Sequence, residues 1–144
     1  MTVQTYALDQ KVFTRLQPGQ AQLRDWKGKA SGIADYIATW GLERFWAMSR
    51  SPLLRGGDVP DPNSGNDEQR SYFAWGVARV VVCEILGTDL QIQATMTTQE
   101  FQQRLSHLNF HQQVLLSDLL IEIAETIQFW TMRMDDANQN EEDV

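Results

Sequence analysis

Apolar positions recur at helical spacing along almost the whole chain. Over residues 4–16 they are Tyr6, Val12, Phe13 and Leu16, and Pro18-Gly19 marks the end of this first predicted helix. From Gln20 to Arg50, Leu23, Trp26, Ala30, Ile33 and Ile37 alternate three and four apart, the seam of a bundle helix. Gly28, Gly32 and Gly41 weaken that stretch, so it reads equally as one helix or as two in succession. Its densest part is Ala30 to Met48, where Ile33, Ile37, Trp40 and Ala47 define one buried face and Leu42, Phe45 and Trp46 thicken it. Gly41 falls inside this pattern, where glycine costs about 1 kcal/mol relative to alanine. Either the helix bends there or another backbone approaches closely.

Residues 51–66, with three prolines and three glycines, cannot continue a helix and form the main loop, expected to be the most mobile segment and, at that length, either functional or simply disordered. Asn66 with Gln69 opens the next helix, which runs to about Leu86 through Tyr72, Phe73, Trp75, Val77, Val80, Val81 and Ile85, with Gly87 closing it. The run Val80 to Cys83 would also suit a buried strand, but a lone strand has nothing to pair with, so helix is preferred. Residues 88–96 are a connector with Leu90 and Ile92 packed down. Thr97 with Glu100 and Asn109 with Gln112 then cap a short helix and a long one. The long helix, Phe110 to Met134, buries Leu115, Leu116, Leu119, Leu120, Ile123, Ile127 and Trp130, and carries an acidic stripe of Asp118, Glu122 and Glu125 read as a solvated face. The pattern predicts an all-α protein, a compact single-domain bundle of about five or six helices over residues 1–134, followed by a disordered acidic tail over 135–144.

Composition narrows the chemistry. The single cysteine, Cys83, excludes an intramolecular disulfide and any multi-cysteine zinc site, and with no adjacent base it reads as a small buried hydrophobe. There is no apolar run long enough to span a bilayer and no secretory leader, so a cytoplasmic protein without membrane contact is expected. No phosphate loop, nucleophile elbow, HExxH or GxGxxG occurs. His107 and His111 are four apart, but the cap at Asn109 falls between them and removes the geometry of a metal site. Asp61, Asn63, Gly65 and Asp67 are similar to a calcium loop, with the glycine one position early and Tyr72 in place of the closing glutamate. Neither a catalytic site nor a cofactor or metal is expected.

Net charge is −7, but it is unevenly placed. Residues 1–80 carry ten Lys/Arg against eight Asp/Glu, a net +2, while residues 81–144 carry two against eleven, a net −9. Within residues 11–55 there are eight basic and three acidic side chains, which points either to a basic face opposed to an acidic one or to an ordinary solvated surface. Arg24, Lys27 and Ser31 fall on one helical row away from the seam and form the best candidate for the basic face.

The run Ile37-Ala-Thr-Trp-Gly41-Leu42-Glu-Arg-Phe-Trp-Ala47-Met resembles the motif of the small-subunit family of type III-B (Cmr) CRISPR RNA-targeting effector complexes, in which an isoleucine, a Gly-Leu pair and a small residue in a following apolar helix stand in this order. The family pattern places asparagine before the Gly-Leu pair and a proline upstream, where this chain has Trp40 and Ala34. Trp130-x-x-Arg133 is similar to a second family motif near the end of the last helix, and the resemblance spans residues 5 to 134. It implies a non-catalytic part of an antiviral defence complex, several copies of which stack along the backbone subunits, contact the large subunit and help hold guide RNA and target RNA. On that implication the basic residues Arg24, Lys27, Lys29, Arg44, Arg50 and Arg55 are the expected RNA contacts. A small subunit of another CRISPR subtype is the nearest alternative. A helical protein adaptor without RNA contact, using Trp26, Trp40 and Trp46 in a partner groove, is a further one.

Overall fold

A computed structural model describes residues 5–51 and 59–142, with side chains described for 7–51 and 59–139. Among these residues every regular element is helical: α1 (Thr5–Leu16), a 3-10 helix (Gln17–Gln22), α2 (Leu23–Ala30), α3 (Ile33–Trp40), α4 (Leu42–Arg50), α5 (Asp67–Ser71), α6 (Phe73–Leu90), α7 (Thr98–Ser106) and α8 (Phe110–Glu142). The break between α2 and α3 is bonded on both sides, Gly32 N to Lys29 O and Tyr36 N to Gly32 O, and so is the one between α5 and α6, Tyr72 N to Glu68 O and Gly76 N to Tyr72 O. The expected bundle of about six rods is therefore present, with two rods jointed.

Core position follows from the sequence pattern of each rod. α6 is apolar nearly all round and lies at the centre, where burial outweighs the modest helix propensity of its valines. Around it and each other, α8 packs against α1, α2, α3 and α6, and α4 packs against α6 and α7. The seam residues Leu23, Trp26, Ala30, Ile33 and Ile37 are all buried, as the spacing predicts, and Leu90 and Ile92 are packed down in the connector. Four tryptophans have their indole N–H satisfied: Trp26 donates to Gly19 O at 2.8 Å, Trp46 to Met96 O at 2.9 Å, Trp75 to Lys29 O at 3.0 Å and Trp130 to Asp9 Oδ1 at 3.1 Å. These bonds let large aromatic bodies be buried without an orphaned donor.

Gly41 is the joint between α3 and α4, with φ 89° and ψ 179°, a region open to glycine and strained for other residues. A Cβ there would meet nothing within 4 Å, so bending rather than close approach is its reason. The bend also corrects the single face expected across Ile33 to Ala47. Trp40, at the end of α3, is 53% exposed, because α4 leaves in a new direction and turns Phe45 and Trp46 into the core instead. Close approach is the task of Gly76 in α6, where a Cβ would lie 2.2 Å from Pro60 Cδ. Pro60 is buried there, anchoring the described end of the 51–66 loop.

Helix ends show further corrections. α6 runs past Gly87 to Leu90 and stops at Gln91, which adopts the left-handed conformation. α8 continues through Glu142, so the expected disordered tail is helical over most of its length. Met134 is buried and Asp135 meets Lys27, which gives the extension packing that composition does not reveal. The capping boxes at Thr97 and Asn109 are both formed, and Asn66 Oδ1 accepts from Gln69 N at 3.0 Å. Cys83 is half-buried rather than buried. No helix among the described residues is long and apolar enough to cross a membrane.

Candidate nucleic-acid interface

Five of the six expected RNA contacts are among the described residues, and they separate into three groups. A helix turns about 100° per residue, so Arg24 and Lys27 share a row on α2 while Lys29 points elsewhere. Arg24 and Lys27 stand at an open cleft of about 1030 Å³ between the 3-10 helix, α2 and the end of α8. Its other walls are amide-rich, including Gln17, Gln20, Asn138 and Gln139. The row is not a bare cationic surface, because Lys27 Nζ lies 3.2 Å from Asp135 Oδ1 and 3.4 Å from Oδ2. Ser31 continues the row into a smaller groove, which it shares with Gln128, Thr131 and Met132 of α8. The predicted basic row is thus real as a row, and it faces the acidic end of the last helix.

Lys29 stands on the other side of α2, its Nζ 4.7 Å from the centre of the Tyr72 ring, beside Asp25, Asp67 and Glu68. Arg70 joins that neighbourhood and pairs with both Asp25 and Asp67. On α4, Arg44 lies over the exposed Trp40 ring at 4.7 Å. Arg50 directs Nη1 to Ala94 O at 3.3 Å, so one of its donors is committed to the connector before α7. Arg55 lies outside the described residues. The structure brings Arg24 and Lys27 together, and leaves Lys29, Arg44 and Arg50 apart from them.

One arginine that sequence reasoning passed over is central to the fold. Arg79 of α6 is fully buried: Nη1 donates to Ser49 O at 2.7 Å and Ser49 Oγ at 2.9 Å, and Nε donates to Ala94 O at 2.9 Å. Its guanidinium also lies 5.9 Å from the Trp46 ring centre, and Trp46 stacks on Phe101 at 4.0 Å. Together these tie α4, α6, the connector and α7 into one knot. The available signal was a charge inside the otherwise apolar run Phe73 to Cys83.

α7 ends before His107 and α8 begins at Phe110, so His107 and His111 do not share a helix, and Nδ1 of His107 sits 2.8 Å from Gln103 O. Among the described residues no group of three His, Cys, Asp or Glu side chains is placed to hold a metal. Asp61 Oδ1 instead accepts from Asn63 N at 2.9 Å, an ordinary turn bond. Trp26 and Trp46 are buried, which removes two of the three tryptophans from any partner groove and leaves Trp40. Compared with protein-family models, curated proteins and solved structures, the chain shows no significant match to any of them.

Proposed function

We propose that this chain is a non-catalytic small subunit of a CRISPR RNA-targeting effector complex of the type III-B kind, a helical block that packs along backbone subunits and lends basic side chains to guide and target RNA. The observation that carries the reading is the run Ile37 to Met48: its apolar members Ile37, Phe45 and Trp46 are core, and its glycine is the φ 89° joint that sets α4 against α3. The row Arg24–Lys27 supports contact with phosphates, which needs positive charge at a groove and no base reading. The large and backbone subunits would complete the channel, since the cationic groups on this chain are few and largely engaged within it.

A second reading, a helical adaptor that binds protein only, is favoured by the Lys27–Asp135 pair and by the exposed Trp40. A tagged pull-down from native cells separates the two. Guide RNAs with repeat-derived 5′ ends, together with backbone and large subunits, are expected from the first. A reproducible set of protein partners without guide RNA would refute it in favour of the adaptor.

A further inference from the structure

Five large hydrophobic side chains stand exposed among the described residues, and four of them are on α8: Phe110 (76%), Val114 (40%), Phe129 (49%) and Met132 (61%). At 3.6 residues per turn these four fall within one sector of about 100° on that helix, and the separation of Phe110 from Met132 along the axis is about 33 Å. Phe129 meets Trp130 edge-on at 5.1 Å with the Arg133 guanidinium 5.3 Å from its ring centre, and Met132 edges the groove it shares with Ser31, yet all four side chains remain exposed. The middle of the same sector holds Asp118 and Glu125, with Glu122 at its edge, and all three are exposed. None of these three carboxylates has an ion-pair partner among the described residues. The face therefore combines hydrophobic anchors at its two ends with an unneutralised acidic centre.

We infer that this face of α8 is a docking site for a basic amphipathic helix of a partner protein, with apolar side chains seated on Phe110–Val114 and Phe129–Met132 and lysines or arginines opposite Asp118, Glu122 and Glu125. Charge complementarity selects the occupant. Nucleic acid and anionic lipid would meet three like charges, at a cost that apolar contact does not offset. A second copy related by a two-fold axis would place the acidic stripe against itself. A helix is the element whose length and spacing match a straight rod over about 33 Å, with anchors every three or four residues. The inference goes beyond the complex reading above and stands without it, since it requires a protein partner and no RNA.

The test uses the full chain and a labelled synthetic peptide of about 22 residues, the length that spans the face. The peptide carries leucines in its outer turns and lysines in its middle turns along one helical face, and a second peptide of the same composition has scrambled order. Fluorescence polarisation is expected to show saturable binding of the ordered peptide, at least about tenfold tighter than the scrambled one. Binding should weaken with added salt and be lost in the triple variant Asp118→Lys, Glu122→Lys, Glu125→Lys. The pair Val114→Ser, Met132→Ser, made on exposed positions and checked for unchanged helicity and melting, should lose it as well. Equal affinity for both peptides, or unchanged binding by either folded variant, overturns the proposal. So does sedimentation showing a dimer that these substitutions dissociate, because the occupant is then a second copy. Peptide binding retained in a protein that recovers no guide RNA from cells would refute the complex reading alone.

Discussion

Substituting single residues separates the glycines by what each one does. Gly41→Ala is expected to cost about 1–3 kcal/mol, because φ 89° with ψ 179° is strained for any side chain although the space is open. Gly28 lies inside α2, and a methyl group added there would meet nothing within 4 Å, so Gly28→Ala should stabilise by about 0.5–1 kcal/mol. Urea unfolding of both variants checks the pair, and equal midpoints would show that conformation at Gly41 is not the reason for its glycine. At the Arg79 knot, Arg79→Ala removes at least three hydrogen bonds and leaves a void beside Trp46, with an expected loss of about 3 kcal/mol or more. Ser49→Ala removes one of those partners and should cost only about 1 kcal/mol. If the two variants unfold at the same midpoint, Arg79 is not the organising member of the knot. These positions were only partly legible in the sequence: a glycine in a helical pattern is visible, but whether it bends or admits a neighbour depends on backbone angles and on what packs there.

Among the elements, the end of α8 decides how accessible the basic row is. The Lys27 and Asp135 side chains are 41% and 29% exposed, and a pair so open to solvent is worth no more than about 1 kcal/mol. Asp135→Asn should therefore leave global stability almost unchanged. Ending the chain after Met134 removes the acidic extension from Lys27, and RNA association is expected to rise at low salt, with the gain fading as salt is added. Unchanged RNA affinity in the shortened chain would show that the extension does not compete for the row. The helix itself was legible up to Met134, where its apolar repeat ends. Beyond that point the acidic, polar composition predicts disorder, and the continuation rests on contacts with α2 that periodicity does not carry. The caps were legible outright, since Thr97–Glu100 and Asn109–Gln112 need only local spacing to form. Thr97→Ala should cost about 1 kcal/mol in thermal or urea unfolding.

Over the whole molecule, the contrast between a net +2 for residues 1–80 and a net −9 for residues 81–144 does not become two clean faces. Lys27 meets Asp135 and Arg15 meets Glu84, so basic side chains of the first half are partly neutralised by acidic ones of the second. If the proposed complex reading holds, charge reversal at Arg24 and Lys27 should weaken RNA association of the recovered complex and flatten its salt dependence. If neither changes, this row is not an RNA contact. The apolar spacing of the sequence alone determined the all-helical class, the bundle seam from Leu23 to Ile37, the buried side of α8 apart from Leu115 and Trp130, which are only half-buried, and the caps, because each depends on neighbours within a few residues along one helix. Only the tertiary structure decided that Trp40 is exposed, that Arg79 is buried, that α8 extends to Glu142, and which basic residues share a cleft. Those outcomes depend on how rods far apart in the chain are brought side by side, and the physical reason is that exposure and pairing belong to the packed arrangement, whereas periodicity belongs to each rod.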